Sequence, residues 1–73
     1  MSPALADRPA RKVIRVLKSF GFAFQRAKGS HQVYRHPDGR VCVVPDHGTI
    51  KRGTLSSILR QAGVTREEFL SAL

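Results

Sequence analysis

The spacing of apolar positions changes along this chain, and each change marks an element. Val13, Ile14, Val16, Leu17 and Phe20 recur at helical spacing, with Arg11, Arg15 and Lys18 on the opposite side. A first helix is predicted there. Pro9 suits its opening turn, where a missing N–H costs nothing, and Gly21 can take a left-handed conformation just past its end. The period then falls to two. Phe22-Ala23-Phe24-Gln25-Arg26 places an aromatic ring at every second position, and Lys28-Gly29 reads as a turn. His31 to Arg35 forms a second strand, and His36-Pro37-Asp38-Gly39 is a hairpin signal in which Pro presets one turn position and Gly accepts positive φ. Arg40 to Val44 is a third strand, apolar on both faces and ended by Pro45. Alternation sets His31, Val33 and Arg35 on one face of the second strand and Gln32, Tyr34 and His36 on the other. It does not say which face meets the helices.

Helical spacing returns after a polar loop from Asp46 to Arg52. Leu55, Ile58, Leu59 and Ala62 stand at i, i+3, i+4 and i+7, with Thr54 as the expected cap and Gly63 as the stop. Thr65-Arg66-Glu67-Glu68 is a capping box, flanked by Val64 and Phe69 as its hydrophobic staple, and it opens a short third helix carrying Leu70 and Leu73. Residues 1–8 show no pattern and read as a flexible tail before one domain spanning residues 9–73. The expected class is α+β: helix, antiparallel three-stranded sheet, helix, short C-terminal helix, with the helices on one face. This α-β-β-β-α order resembles the double-stranded-RNA-binding-domain fold, although order alone does not fix function.

A chain of 73 residues buries a thin core and has no room for a separate substrate or cofactor domain. Its charge narrows the field further. The formal net charge is +8, and between Arg8 and Pro37 there is no acidic residue, while Arg8, Arg11, Lys12, Arg15, Lys18, Arg26, Lys28 and Arg35 are all basic. Such a field concentrates polyanions, and nucleic acid is the usual one; an acidic protein or an anionic membrane would also satisfy it. Cys42 is the single cysteine, so no intrachain disulfide forms, and its place among valines suggests a buried, inert thiol. The longest apolar run, Val41 to Val44, is too short to span a membrane, and residues 1–10 lack a hydrophobic signal core, so a cytoplasmic protein is expected.

Gly29-Ser30-His31 is the most informative tripeptide. Gly29 lets the chain reverse close to a ligand, Ser30 offers a hydroxyl and an N–H to a phosphate oxygen, and His31 opens a strand with Arg26 and Lys28 nearby. Imidazoles exchange protons near neutral pH, and RNA carries its own nucleophile, so a histidine among cations can cover much of the work of cleavage without a metal or cofactor. On composition and spacing alone, a histidine chosen for a hydrogen bond near the turn is the better explanation of His31. His36 is expected to bond within its turn and His47 to face solvent; both remain candidates for a second proton-transfer group. His31, His36, His47 and Cys42 match no usual zinc spacing, and no paired carboxylates, phosphate loop or nucleophile elbow is present. Phe22 and Phe24 are expected in the core, and Tyr34 could serve either packing or base stacking.

The ordered set Lys28-Gly29-Ser30-His31, Tyr34, His36-Pro37-Asp38-Gly39-Arg40, Val43-Val44-Pro45, His47, Lys51, Gly53-Thr54-Leu55, Ile58-Leu59 and Ala62-Gly63 resembles the HicA toxin family, from about Val13 to Phe69. That resemblance implies a metal-independent endoribonuclease cleaving mRNA, the toxin of a type II toxin–antitoxin pair. His31 would be its catalytic residue, and Arg26, Lys28, Gly29, Ser30, Arg35 and Lys51 would hold RNA. It also implies a HicB-type antitoxin partner covering the active site. The alternatives are a non-catalytic module that binds double-stranded RNA or DNA, and a protein-interaction unit whose basic face docks an acidic partner.

Overall fold

Residues 4–73 are described by a computed structural model. The elements are β1 (Arg8–Pro9), α1 (Ala10–Ser19), β2 (Ala23–Lys28), β3 (His31–Arg35), β4 (Val41–Pro45), β5 (Thr49–Ile50), α2 (Arg52–Ala62) and α3 (Arg66–Ala72). Strands β2, β3 and β4 form an antiparallel sheet in that order. The fold is the expected α+β layout of the double-stranded-RNA-binding-domain type. No helix among the described residues is long and apolar enough to cross a membrane.

The helical stripes become the core. Val13, Val16 and Leu17 of α1, Leu55, Ile58, Leu59 and Ala62 of α2, and Phe69 of α3 are buried against Tyr34, Cys42 and Val44 of the sheet. Tyr34 is therefore on the helix side, and His31, Val33 and Arg35 face away from it. Burial pushes the Cys42 thiol up to about 11, so it stays protonated and inert. The capping box at Thr65 forms as read: the Thr65 N–H donates to Glu68 Oε1 (2.8 Å) and the Glu68 N–H donates to Thr65 Oγ1 (3.1 Å). These bonds hold the Glu68 carboxyl below its ordinary range.

Three local expectations are corrected. Pro9 is the N-cap of α1 rather than part of its first turn. Helix α2 begins at Arg52, not after Thr54, because the Asp7 carboxylate accepts the Arg52 N–H (2.8 Å) and does the work assigned to the threonine. The tail reading also changes from Leu5 onward. Residues 1–3 lie outside the described residues, but Leu5 is buried, and Arg8 and Pro9 pair with Ile50 and Thr49. Residues 1–8 carry no apolar period that could show this, and the pairing partner lies some forty positions away.

Helix α1 ends in paired reverse bonds, with the Gly21 N–H donating to the Lys18 carbonyl (3.0 Å) and the Phe22 N–H to the Leu17 carbonyl (3.1 Å). Gly21 has φ +97°, and a Cβ there would sit 2.9 Å from His36 Nε2. Gly21→Ala is therefore expected to cost about 1–2 kcal/mol from the left-handed backbone alone, a fall in Tm of roughly 4–16 °C for a domain of this size. A thermal melt followed by circular dichroism checks it, and an unchanged Tm would refute it.

Candidate functional site

The turn between β2 and β3 is built by the sequence itself. Lys28 and His31 are register partners, so Gly29 and Ser30 are the two loop residues of a hairpin. Gly29 has φ +60°, which suits the hairpin turns that carry glycine first. On its other side His31 pairs with Pro45 of β4. His31 thus sits on a rigid strand beside a tight turn, exposed, with the Lys28 side chain as its cross-strand neighbour.

A bulge completes the basic face. Phe24 pairs with Tyr34, and their rings meet edge to face at 5.9 Å on the helix side. Strict alternation would place Arg26 and Lys28 on that same side. Instead the register shifts between Phe24 and Arg26, so Arg26 pairs with Val33 and Lys28 with His31. The open face of the sheet therefore reads in three rows: Lys28–His31–Pro45, Arg26–Val33–Val43, and Ala23–Arg35–Val41. Val41 and Val43 are more than a third exposed. Four of the residues expected from the sequence, His31, Arg26, Lys28 and Arg35, share this face, and no carboxylate stands on it. Gly29 and Ser30 lie at its edge. Lys51 stands apart, at the N-cap of α2, with Nζ 3.7 Å from Asp7 Oδ2.

The other two histidines separate clearly. His36 follows the far end of β3, roughly 16 Å from His31 at strand rise. It is half-buried, packs edge to face on Phe22 at 5.3 Å, and accepts the Asp38 N–H at Nδ1 (3.1 Å). His47 instead follows β4 at the His31 end, where the Asp46 N–H donates to the Ser30 carbonyl (2.7 Å). It is exposed. Among the described residues no group of three or more His, Cys, Asp or Glu gathers as a metal site.

Two placements went unread in the sequence. Phe24, expected in the core, is 52% exposed, because α1 does not reach over β2. Arg40, one more cation by composition, is a clamp: Nη1 donates to the Ala62 carbonyl at the end of α2 (2.6 Å), Nε donates to Asp38 (2.8 Å), and the guanidinium lies over Phe22 at 5.4 Å. The Arg40 N–H, and then its guanidinium, hold the Asp38 carboxyl below its ordinary range. The Asp-Gly-Arg spacing, with a carboxylate two residues before an arginine in a turn, was the available signal.

In comparison with known proteins, a family model described as HicA toxin of bacterial toxin–antitoxin matches residues 10–64. No curated protein sequence matches the chain.

Proposed function

This chain belongs to the HicA toxin family of bacterial toxin–antitoxin systems, and from that premise we propose that it is an mRNA-cleaving, metal-independent endoribonuclease with His31 as its catalytic residue. The observation that carries this reading is the open sheet face, where an exposed histidine lies among Lys28, Arg26 and Arg35 with no acidic residue. The 2′-hydroxyl of RNA attacks the adjacent phosphorus and the 5′-oxygen departs. His31 takes the 2′-proton. Lys28 and the backbone of Gly29 and Ser30 face the extra charge on the phosphoryl oxygens, and Arg26 and Arg35 hold neighbouring phosphates. The 5′-oxygen must gain a proton as it leaves. His31 returns the one it took, or His47 gives its own; of the two further histidines, His47 lies at the correct end of the sheet. The products carry a 2′,3′-cyclic phosphate and a 5′-hydroxyl.

As a toxin of such a pair, the protein is matched with an antitoxin. A HicB-type protein with an acidic surface fits this face: its charges meet the cations and speed the encounter, while Val33, Val41 and Val43 offer an apolar centre that exclusion of water would strengthen. Seated there, it covers His31.

The test is incubation of the purified protein with single-stranded RNA in EDTA, with and without the co-expressed antitoxin, followed by analysis of product ends. Cleavage in EDTA giving cyclic phosphate ends, suppressed by the antitoxin, is expected. Binding without cleavage would favour the non-catalytic module. Ends bearing 5′-phosphate, or activity that returns only with Mg²⁺, would overturn the mechanism.

A further inference from the structure

The sheet divides the basic residues between two sides, and only one side holds His31. Arg11, Arg15 and Lys18 project from α1 on the helix side of the sheet, spaced along about 10 Å of helix axis. With Gln32, Tyr34 and Asp46 below them they line a groove of about 420 Å³. The ion pairs among the described residues are Arg40–Asp38 and Lys51–Asp7, and His36 Nδ1 lies 3.0 Å from Asp38 Oδ1, so no carboxylate engages these three cations.

The floor of the groove is already satisfied. The Tyr34 hydroxyl donates to Gln32 Oε1 (2.6 Å), and Gln32 Nε2 donates to Asp46 Oδ2 (2.5 Å). Burial and the nearby Asp46 carboxylate push the Tyr34 phenol up, so it remains a neutral hydroxyl. The one carboxylate in the groove is held by an amide, which leaves the cations as the groups without partners. Phe24 does not line the groove, but its exposed ring meets Tyr34 of the floor edge to face at 5.9 Å and presents an aromatic surface that any base can stack on. The floor also leads somewhere. Tyr34, Gln32 and Asp46 are linked in sequence, and the Asp46 N–H donates to the carbonyl of Ser30, the residue before His31.

We propose that this groove is a second binding site for the substrate: a track for the phosphodiester backbone of single-stranded RNA flanking the cut, ending at the turn that carries His31. The proposal rests on the ribonuclease reading for the identity of the substrate, but its test does not. Cations in a row, a nearby exposed ring and a route to the catalytic turn suit a nucleic-acid strand better than an acidic protein, which gains little from a stacking surface.

The experiment measures binding of a fluorescein-labelled RNA of about 15 nucleotides by anisotropy, using the His31→Ala protein so that the RNA stays intact. The same protein with Arg11→Ala, Arg15→Ala and Lys18→Ala added is compared across salt concentrations. The expected result is an affinity lower by roughly 10–100-fold near 0.1 M salt, with the log–log salt slope reduced by about 2, since each phosphate contact on a single strand contributes about 0.7. A charge-keeping variant, Arg11→Lys with Arg15→Lys, should retain most of the affinity. With His31 intact, the triple variant should raise KM for the same RNA and leave both kcat and cleavage of a tetranucleotide within about twofold. Unchanged affinity and slope would overturn the proposal. So would loss of antitoxin binding with RNA affinity intact, which would assign the groove to an acidic protein. If the wild-type protein cleaves nothing, the ribonuclease reading fails, and anisotropy still decides the groove.

Discussion

Replacing His31 with alanine is expected to lower RNA cleavage by a factor on the order of 10²–10⁴, the usual contribution of a positioned acid–base group, while the melting temperature stays within about a degree. The two halves of this expectation have separate reasons. His31 is the register partner of Lys28 and Pro45, so its backbone bonds survive loss of the imidazole. Its side chain is exposed and belongs to no buried cluster, so truncation opens no cavity. Single-turnover cleavage and a thermal melt on one preparation provide the check. Retention of full activity would remove His31 from the chemistry. Loss of activity together with loss of the cooperative melt would make it structural.

Phe69→Ala is expected to cost about 3–5 kcal/mol, the range for emptying a buried aromatic site. A chain of 73 residues has a total stability of roughly 4–11 kcal/mol on the usual per-residue scale, so the variant should lose from about a quarter to all of it. Phe69 is fully buried although it sits on a helix of seven residues, too short to persist without tertiary contacts. Its ring is what α3 contributes to the core, opposite Val64, the other half of the staple. Urea denaturation followed by circular dichroism measures the loss. A cost under about 1 kcal/mol would mean that the ring is not packed as described.

Where the sequence reading succeeded, the signal was local. Each helix carries its apolar stripe within a dozen residues, with a stop at glycine for α1 and α2 and a capping box for α3. The two hairpins rest on residues adjacent in sequence, Gly29-Ser30 and Pro37-Asp38-Gly39. The reading failed where the deciding partner is distant. Asp7 caps α2 from 45 positions away, Arg40 clamps the end of α2 from 22 positions away, and Leu5 reaches the core only because β1 pairs with β5.

The candidate site shows the same division. The identity of His31, its place beside a glycine turn and the excess of cations around it follow from the sequence by itself, because turn chemistry and charge are properties of neighbouring residues. Which cations stand beside His31 does not follow. Alternation from Phe22 and Phe24 carries Arg26 and Lys28 to the helix side; one bulged residue in β2 turns them to the open face, where Arg35 joins them. Arg11, Arg15 and Lys18, indistinguishable from these by charge, end on the other side of the sheet. A strand's side chains alternate with a period of two, so a single inserted residue reverses every side chain beyond it. Only pairing with β3 decides where that insertion falls.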